Sequence, residues 1–251
     1  MLQGRIRLMD VSEIIKKLKP SLPVILVANG ENKIVSKGSG FIFQKSDLVV
    51  TCAHVVSSTE DINVVLQFPD NEGTFVPAKV VITDHEHDIA LLKFQPDKER
   101  EPLALASNES TEGMAVLFSG YPFSLMNLTT HQGIISSVIT DPTGMKRYLI
   151  DGTINPGNSG GPLMNMKGEV IGVVDATRRE SNDILSKVQA MSTGALSLHG
   201  LDLVELYNAL VNNLQLGVGY AVPSSYIPHY PDHDDSDQKE QTTKKPTGGK
   251  K

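Results

Sequence analysis

From Leu22 onward the chain breaks into short apolar runs separated by turn residues. This rhythm predicts strands over Val24–Val27, Ser39–Phe43, Leu48–Val50, Ile62–Phe68, Ala78–Thr83, Ile89–Phe94 and Ala115–Phe118. The series continues with Gly133–Ile139, Arg147–Ile150, Gly161–Met164, Val170–Asp175 and Val218–Val222. Enrichment in Val and Ile, and the brief intervals, favour antiparallel β structure over βα units. Before the strands, Val11, Ile14, Ile15 and Leu18 recur at helical spacing until Pro20, which predicts a short helix over Val11–Lys19. Ala53–Ser57 reads as one helical turn following a strand, and Gly200–Leu214 as a second amphipathic helix. Ile227 is the last aliphatic residue, so residues 228–251, with their acidic cluster Asp232–Asp237, read as a disordered tail or linker. The expected organisation is a segment 1–21 carrying the short helix, one domain over 22–227 made of two β subdomains joined near 96–112, and the tail.

Composition narrows the class. A chain of 251 residues and 27.2 kDa with 39% apolar residues has material for one sizeable core. Acidic residues number 29 against 23 Lys and Arg, a balance that argues against a general nucleic-acid surface. Cys52 is the only cysteine, which excludes an intrachain disulfide and fits the cytoplasm or another reducing intracellular compartment. Met1–Pro20 offers no uninterrupted apolar h-region, and no apolar run reaches about 18 residues, so neither a signal peptide nor a membrane span is expected.

Chemistry concentrates in three segments: Thr51-Cys52-Ala53-His54, His87-Asp88-Ile89-Ala90-Leu91-Leu92 and Asn155-Pro156-Gly157-Asn158-Ser159-Gly160-Gly161-Pro162. An alcohol is a poor nucleophile at neutral pH, so Ser159 needs a base, and an imidazole with a pKa of about 6.5 suits the task. The imidazole in turn needs an acceptor to fix its tautomer, the role open to Asp88. His54, Asp88 and Ser159 are separated by 34 and 71 residues, so only tertiary structure could assemble them. A phosphate-binding nest is the other reading of the glycines, but the chain lacks the G-x-x-x-x-G-K-[ST] pattern. Cys52 reads as a core residue. His85 and His87, with nearby acids, supply only a fragment of a metal site, and turn or surface positions suit them better.

With these residues and flanks, the chain resembles the trypsin-like serine proteases, and within them the HtrA or Deg branch. The resemblance spans roughly residues 30–226 and includes Gly219-Tyr220-Ala221-Val222-Pro223-Ser224, similar to the strand that closes the protease domain in that branch. It implies an all-β fold of two six-stranded antiparallel β-barrels with His54, Asp88 and Ser159 in the cleft between them. It further implies an oxyanion hole from the backbone amides of Gly157 and Ser159, with no metal or organic cofactor. Thr153 then falls at the base of the specificity pocket, where an acidic residue would favour Lys or Arg substrates. With Ile154, Val174, Ala176 and Gly219 it makes a modest, mostly apolar pocket. The activity implied is a serine endopeptidase acting on protein or peptide substrates through an acyl-enzyme, cleaving after small or medium aliphatic residues. The alternative is a chaperone-like peptide-binding module on the same scaffold, with suppressed cleavage.

Several features depart from the resemblance. Asp175 stands where the family has a small or hydroxyl-bearing residue, close enough to Asp88 to pose a like-charge problem. It could turn away, bind a basic group, or be a solvent-facing strand-end residue. Residues 178–199 are too long for a tight hairpin and read as a regulatory or substrate-facing loop. The 25 residues after Tyr226 cannot build the PDZ domain that the branch often carries. The branch also forms trimers through its amino-terminal segment; here no aromatic residue precedes Phe41, which leaves a homo-oligomer without that signature. Ser119-Gly120-Tyr121-Pro122-Phe123 resembles a loop near the cleft.

Overall fold

The apolar runs form two antiparallel sheets that differ in closure. The computed structural model describes residues 10–57, 62–141, 143–176, 191–195, 197–213 and 217–231. The first sheet contains β1 (Val24–Asn29), β2 (Ile34–Ser39), β3 (Phe41–Ile42), β4 (Leu48–Cys52), β5 (Ile62–Gln67), β6 (Val76–Asp84) and β7 (Ile89–Phe94). Its order is β2-β1-β5-β6-β7-β4-β3. The second begins with β8 (Ala115–Gly120), β9 (Thr129–Thr140), β10 (Lys146–Asp151), β11 (Pro162–Asn165) and β12 (Val170–Asp175). A small hairpin of β13 (Ser197–Leu198) and β14 (Leu201–Asp202) intervenes before β15 (Val218–Pro223), which completes a closed six-stranded barrel, β10-β15-β12-β11-β8-β9.

The expectation of two six-stranded barrels is therefore corrected. The second barrel is closed with six strands, whereas the first is a seven-stranded sheet that is barrel-like without full closure. The cause lies at Gly40. The run read as one strand, Ser39–Phe43, is divided there: the Gly40 amide donates to Pro23 O at 3.1 Å, the last bond on the β1 side. Residues before Gly40 stay with β1, and those after it pair with β4. The first half, Ile34–Lys37, escapes the sequence reading because it is an edge strand with little burial.

Side chains from both sheets share one core. Leu117, Met164, Val173 and Val222 of the second barrel join Ile25, Phe41, Val50 and Leu91 of the first. A smaller cluster, including Phe118, Tyr148, Ile150, Leu163, Ile171 and Val174, fills the closed barrel. The Val11–Leu18 helix, capped by Asp10, buries Ile14 in the shared core and continues as a 3₁₀ turn over Lys19–Ser21. Full burial of such a side chain stabilises by about 1.5–3 kcal/mol. Residues 229 and 230 lie against the first sheet, where Gln44 Nε2 donates to Tyr230 O and Tyr230 N–H donates to Gln44 Oε1. The sequence-expected tail from 232 onward, and residues 178–190 and 196 of the expected regulatory loop, fall outside the described residues.

Candidate active site

Sheet register brings His54 and Asp88 together. β4 and β7 are antiparallel neighbours with Cys52 opposite Ile89. Asp88 therefore precedes one strand at the same edge where the Ala53–Val56 helical turn, carrying His54, leaves the other. Asp88 takes a positive φ of 55°, a conformation that Asp tolerates better than most residues. The resulting contact is two-pronged. The His54 amide donates to Asp88 Oδ1 at 2.8 Å, and His54 Nδ1 lies 2.7 Å from Asp88 Oδ2. An ionised carboxylate only accepts, so Nδ1 carries the proton and Nε2 is left with its lone pair. Burial pushes the Asp88 carboxyl up, but the hydrogen bonds and charge of His54, with the Cys52 thiol, hold it below the ordinary carboxylate range.

Ser159 sits in the turn joining β10 to β11, and other segments pin that turn through its backbone. Ser39 N–H donates to Ser159 O at 2.8 Å, and Ser39 Oγ donates to Gly157 O at 2.7 Å while accepting from Tyr121 N–H at 2.9 Å. On the other flank, Phe123 N–H donates to Pro156 O at 2.7 Å. The two groups of a trans peptide point in opposite directions, so this bond turns the Gly157 amide away from Phe123. Gly157 (φ 97°) and Gly160 (φ 84°) are irreplaceable here: an added Cβ would lie 2.3 Å from Tyr121 O and 2.2 Å from Ser39 O, respectively. The Asn158, Gly160 and Gly161 amides donate to Asn155 O, Val174 O and Asn158 O. Those of Gly157 and Ser159 have no acceptor among the described residues, the condition an oxyanion hole requires. Ser159 Oγ accepts from the Ala176 amide at 3.1 Å; among the described residues no hydrogen bond joins it to His54.

The remaining sequence-predicted site residues flank this turn. Ile154 lies across Gly219, where a Cβ would fall 2.0 Å from Ile154 Cδ1. Ile154 also packs on the cluster containing Val174 and Phe118. Ala176 enters through its amide, and Thr153 is half-buried beside Ile154. Tyr121 is buried with its hydroxyl donating to Leu22 O at 2.7 Å, whereas Phe123 is 43% exposed. Cys52 is buried, as expected of a core residue; burial first, then the charges of Asp88 and Asp175, push its thiol up. The ligand atoms of Cys52, His54 and Asp88 lie within 4.8 Å of one another. The thiol lies 3.3 Å from Val174 O as a donor. His87 pairs with Asp84 at 2.7 Å and stacks on Tyr226.

Three contributors escaped the sequence reading: Ser39, Phe123 in its pinning role, and Arg147. Ser39 carried a signal, since it lies between Gly38 and Gly40 in a tight segment. Arg147, a basic residue within an apolar strand, is the group that meets Asp175. That aspartate is buried, which removes the reading of a solvent-facing strand end.

Comparison with known proteins agrees with this geometry. Residues 38–173, more than half of the chain, match the family model of the trypsin-like peptidase domain. Mouse "Serine protease HTRA4" is 42% identical over 146 residues, covering 55% of this chain and 29% of that protein. Human "Serine protease HTRA3" is 34% identical over 182 residues, covering 65% of this chain and 39% of that protein. Bovine "Serine protease HTR4" is 35% identical over 179 residues, covering 65% and 36%. The chain thus spans about a third of the length of the curated relatives it matches. On the matched domain and these relatives, the chain belongs to the trypsin-like peptidase domain family and is homologous to the HtrA serine proteases.

Proposed function

We propose that this chain is a serine endopeptidase that hydrolyses peptide bonds through His54, Asp88 and Ser159. The observation that carries the reading is the two-pronged Asp88–His54 contact, which leaves Nε2 free to accept a proton, beside a serine turn whose Gly157 and Ser159 amides are unengaged. His54 Nε2 takes the Ser159 proton as Oγ attacks the carbonyl carbon, and the two amides receive the developing oxyanion. Collapse of the tetrahedral species breaks the C–N bond, with His54 returning the proton to the leaving amine. Water, activated by the same imidazole, then hydrolyses the ester. Each oxyanion donor is worth about 3 kcal/mol of barrier.

The preferred residue before the scissile bond is small or medium and aliphatic. The neutral Thr153 and the Ile154 side chain crossing Gly219 support this preference, because neither offers a carboxylate to a basic side chain. A peptide library cut mainly after Lys or Arg would overturn it.

One observation favours a second reading, a peptide-binding module with suppressed turnover. The Ser159 hydroxyl is engaged by the Ala176 amide and not by His54. Catalytic hydrogen bonds often tighten only with substrate present, so the contact is compatible with either reading. Casein hydrolysis together with fluorophosphonate labelling, in the parent and in Ser159→Ala, separates the two. Activity and labelling that both vanish in the variant support the protease. A well-folded parent that binds peptide but never labels supports the binding module.

A further inference from the structure

Lys37 and Ser39 stand two residues apart on β2, so their side chains leave the same face of the strand. Both reach toward the Ser159 turn. Ser39 Oγ donates to Gly157 O at 2.7 Å, which fixes the peptide after Gly157. Lys37 acts on the peptide before it through one intermediary. Its ammonium donates to Phe123 O at 2.9 Å and to Leu125 O, and the Phe123 amide donates to Pro156 O at 2.7 Å. Leu125 N–H closes the small turn onto Pro122 O at 3.1 Å.

The Phe123 backbone needs this support. Its φ is 53°, in the left-handed region that a bulky residue keeps only when its surroundings hold it there. The residue is 43% exposed, so core packing does not supply the hold. Lys37 is half-buried, and burial pulls its ammonium below the ordinary lysine range. Its polar partners among the described residues are those two carbonyls. A partly desolvated charge is costly unless polar groups receive it, so the ammonium and the turn hold each other.

Gly157 is what makes an anchor necessary. Its φ of 97° suits glycine, and an added Cβ would strike Tyr121 O, so no side chain locks the Pro156–Gly157 peptide plane. The Phe123 amide is the one partner of Pro156 O among the described residues. Without that bond the plane would be free to turn over, carrying Pro156 O to where the Gly157 amide now points. We propose that Lys37 is a positioning residue for the oxyanion hole: by clamping the Phe123 turn, it keeps the Gly157 amide turned away from Phe123 and available to the oxyanion. This rests on the protease reading above.

Lys37→Met keeps the length and apolar stem of the side chain but removes the ammonium. In the full chain it should lower kcat by about tenfold to 100-fold, short of the about 10²–10³ that a whole donor is worth, with KM within about twofold. Affinity for a peptide boronate, which forms a tetrahedral adduct on Ser159, should fall with kcat, whereas a product peptide should bind as in the parent. Lys37→Arg, which keeps the charge and offers two donors to two carbonyls, should recover most of the loss. Amide hydrogen exchange at Phe123, read by NMR with Ser159→Ala as background, follows the bond to Pro156 O without any turnover. It should speed up when Lys37→Met is added. Lys37→Gln stands in should the Met variant fold poorly. An unchanged kcat in both variants, a loss confined to KM, or a fall in kcat with Phe123 exchange unchanged overturns the proposal. Faster Phe123 exchange in the variant of a parent that hydrolyses no peptide overturns the protease reading instead, and leaves Lys37 as the anchor of the turn.

Discussion

The first sheet brings His54 and Asp88 together by register alone, since they flank the paired ends of β4 and β7 and bond through their own side chains. The closed barrel presents Ser159 on a turn, and that turn depends on backbone bonds from Ser39 and Phe123, which come from other segments. The His54–Asp88 pair therefore belongs to one sheet, whereas the place of Ser159 is a property of both. Damage to the first should alter chemistry with little loss of assembly. Damage to the second should alter both.

Asp88→Asn is expected to have the largest kinetic effect. It removes the acceptor that fixes the imidazole tautomer, so kcat should fall about 10⁴-fold, out of proportion to the loss of stability that follows from removing a stabilising carboxylate. A loss under tenfold would break the claim that the first sheet preorganises the pair. Ser39→Ala comes next: it strips the hydroxyl that bridges Tyr121 N–H and Gly157 O, leaving buried backbone groups without their partner. Stability should drop by about 1–3 kcal/mol. kcat/KM should fall with it, and the His54 titration should stay as in the parent; a shifted titration would mean that the two halves are not separable in this way.

Acid stability gives a smaller effect. Burial pushes up Asp84 at the end of β6 and Asp70, Asp88 and Asp97 in the connections around the first sheet, but hydrogen bonds and charge from His87, from Lys98 and Arg100, from His54, and from Asn71 and Arg100 win in turn, so all four are held below the ordinary range. Groups with lowered folded-state values stabilise the fold above the unfolded carboxylate value of about 3.9, and that contribution is lost as pH falls through the folded values. Melting temperature should therefore hold from neutrality to about pH 4 and decline below it; a rise on acidification would contradict the assignment. The smallest effect belongs to Cys52→Ala, which should leave kcat/KM within about threefold. A protonated, buried thiol is inert, so the parent should resist iodoacetamide until it unfolds.

Much of this arrangement is legible in the chain. Apolar runs bounded by turn residues mark most strands, because a strand buried on one or both faces must carry Val, Ile or Leu at those positions. Ile89–Phe94 and Val170–Asp175 match their predicted bounds to the residue. The edge strand β2 fails this test because Ile34 and Val35 stay half exposed and, among the described residues, no strand pairs beyond them to demand an apolar face. The division at Gly40 was hidden for a related reason. A glycine inside an apolar run reads as part of the strand until its neighbours in space are known.

The site divides along the same line. His54, Asp88 and Ser159 announce themselves through local motifs, since each needs particular residues beside it: a helical turn after a strand, a left-handed Asp before a strand, glycines around a turn. Ser39 carries only the weak mark of its flanking glycines and Arg147 only that of a basic residue in an apolar strand, because their roles depend on partners 118 and 28 residues away. For Asp175 the sequence posed a question of charge balance that it could not answer. The sequence by itself determined which residues could do chemistry and which stretches would be strands, because both depend on local residue type and spacing. Only the tertiary structure decided that the first sheet stays open, that the Ser159 turn is pinned from outside its own strands, and that a guanidinium from β10 accompanies Asp175. Those outcomes are set by packing and charge pairing between segments distant in sequence.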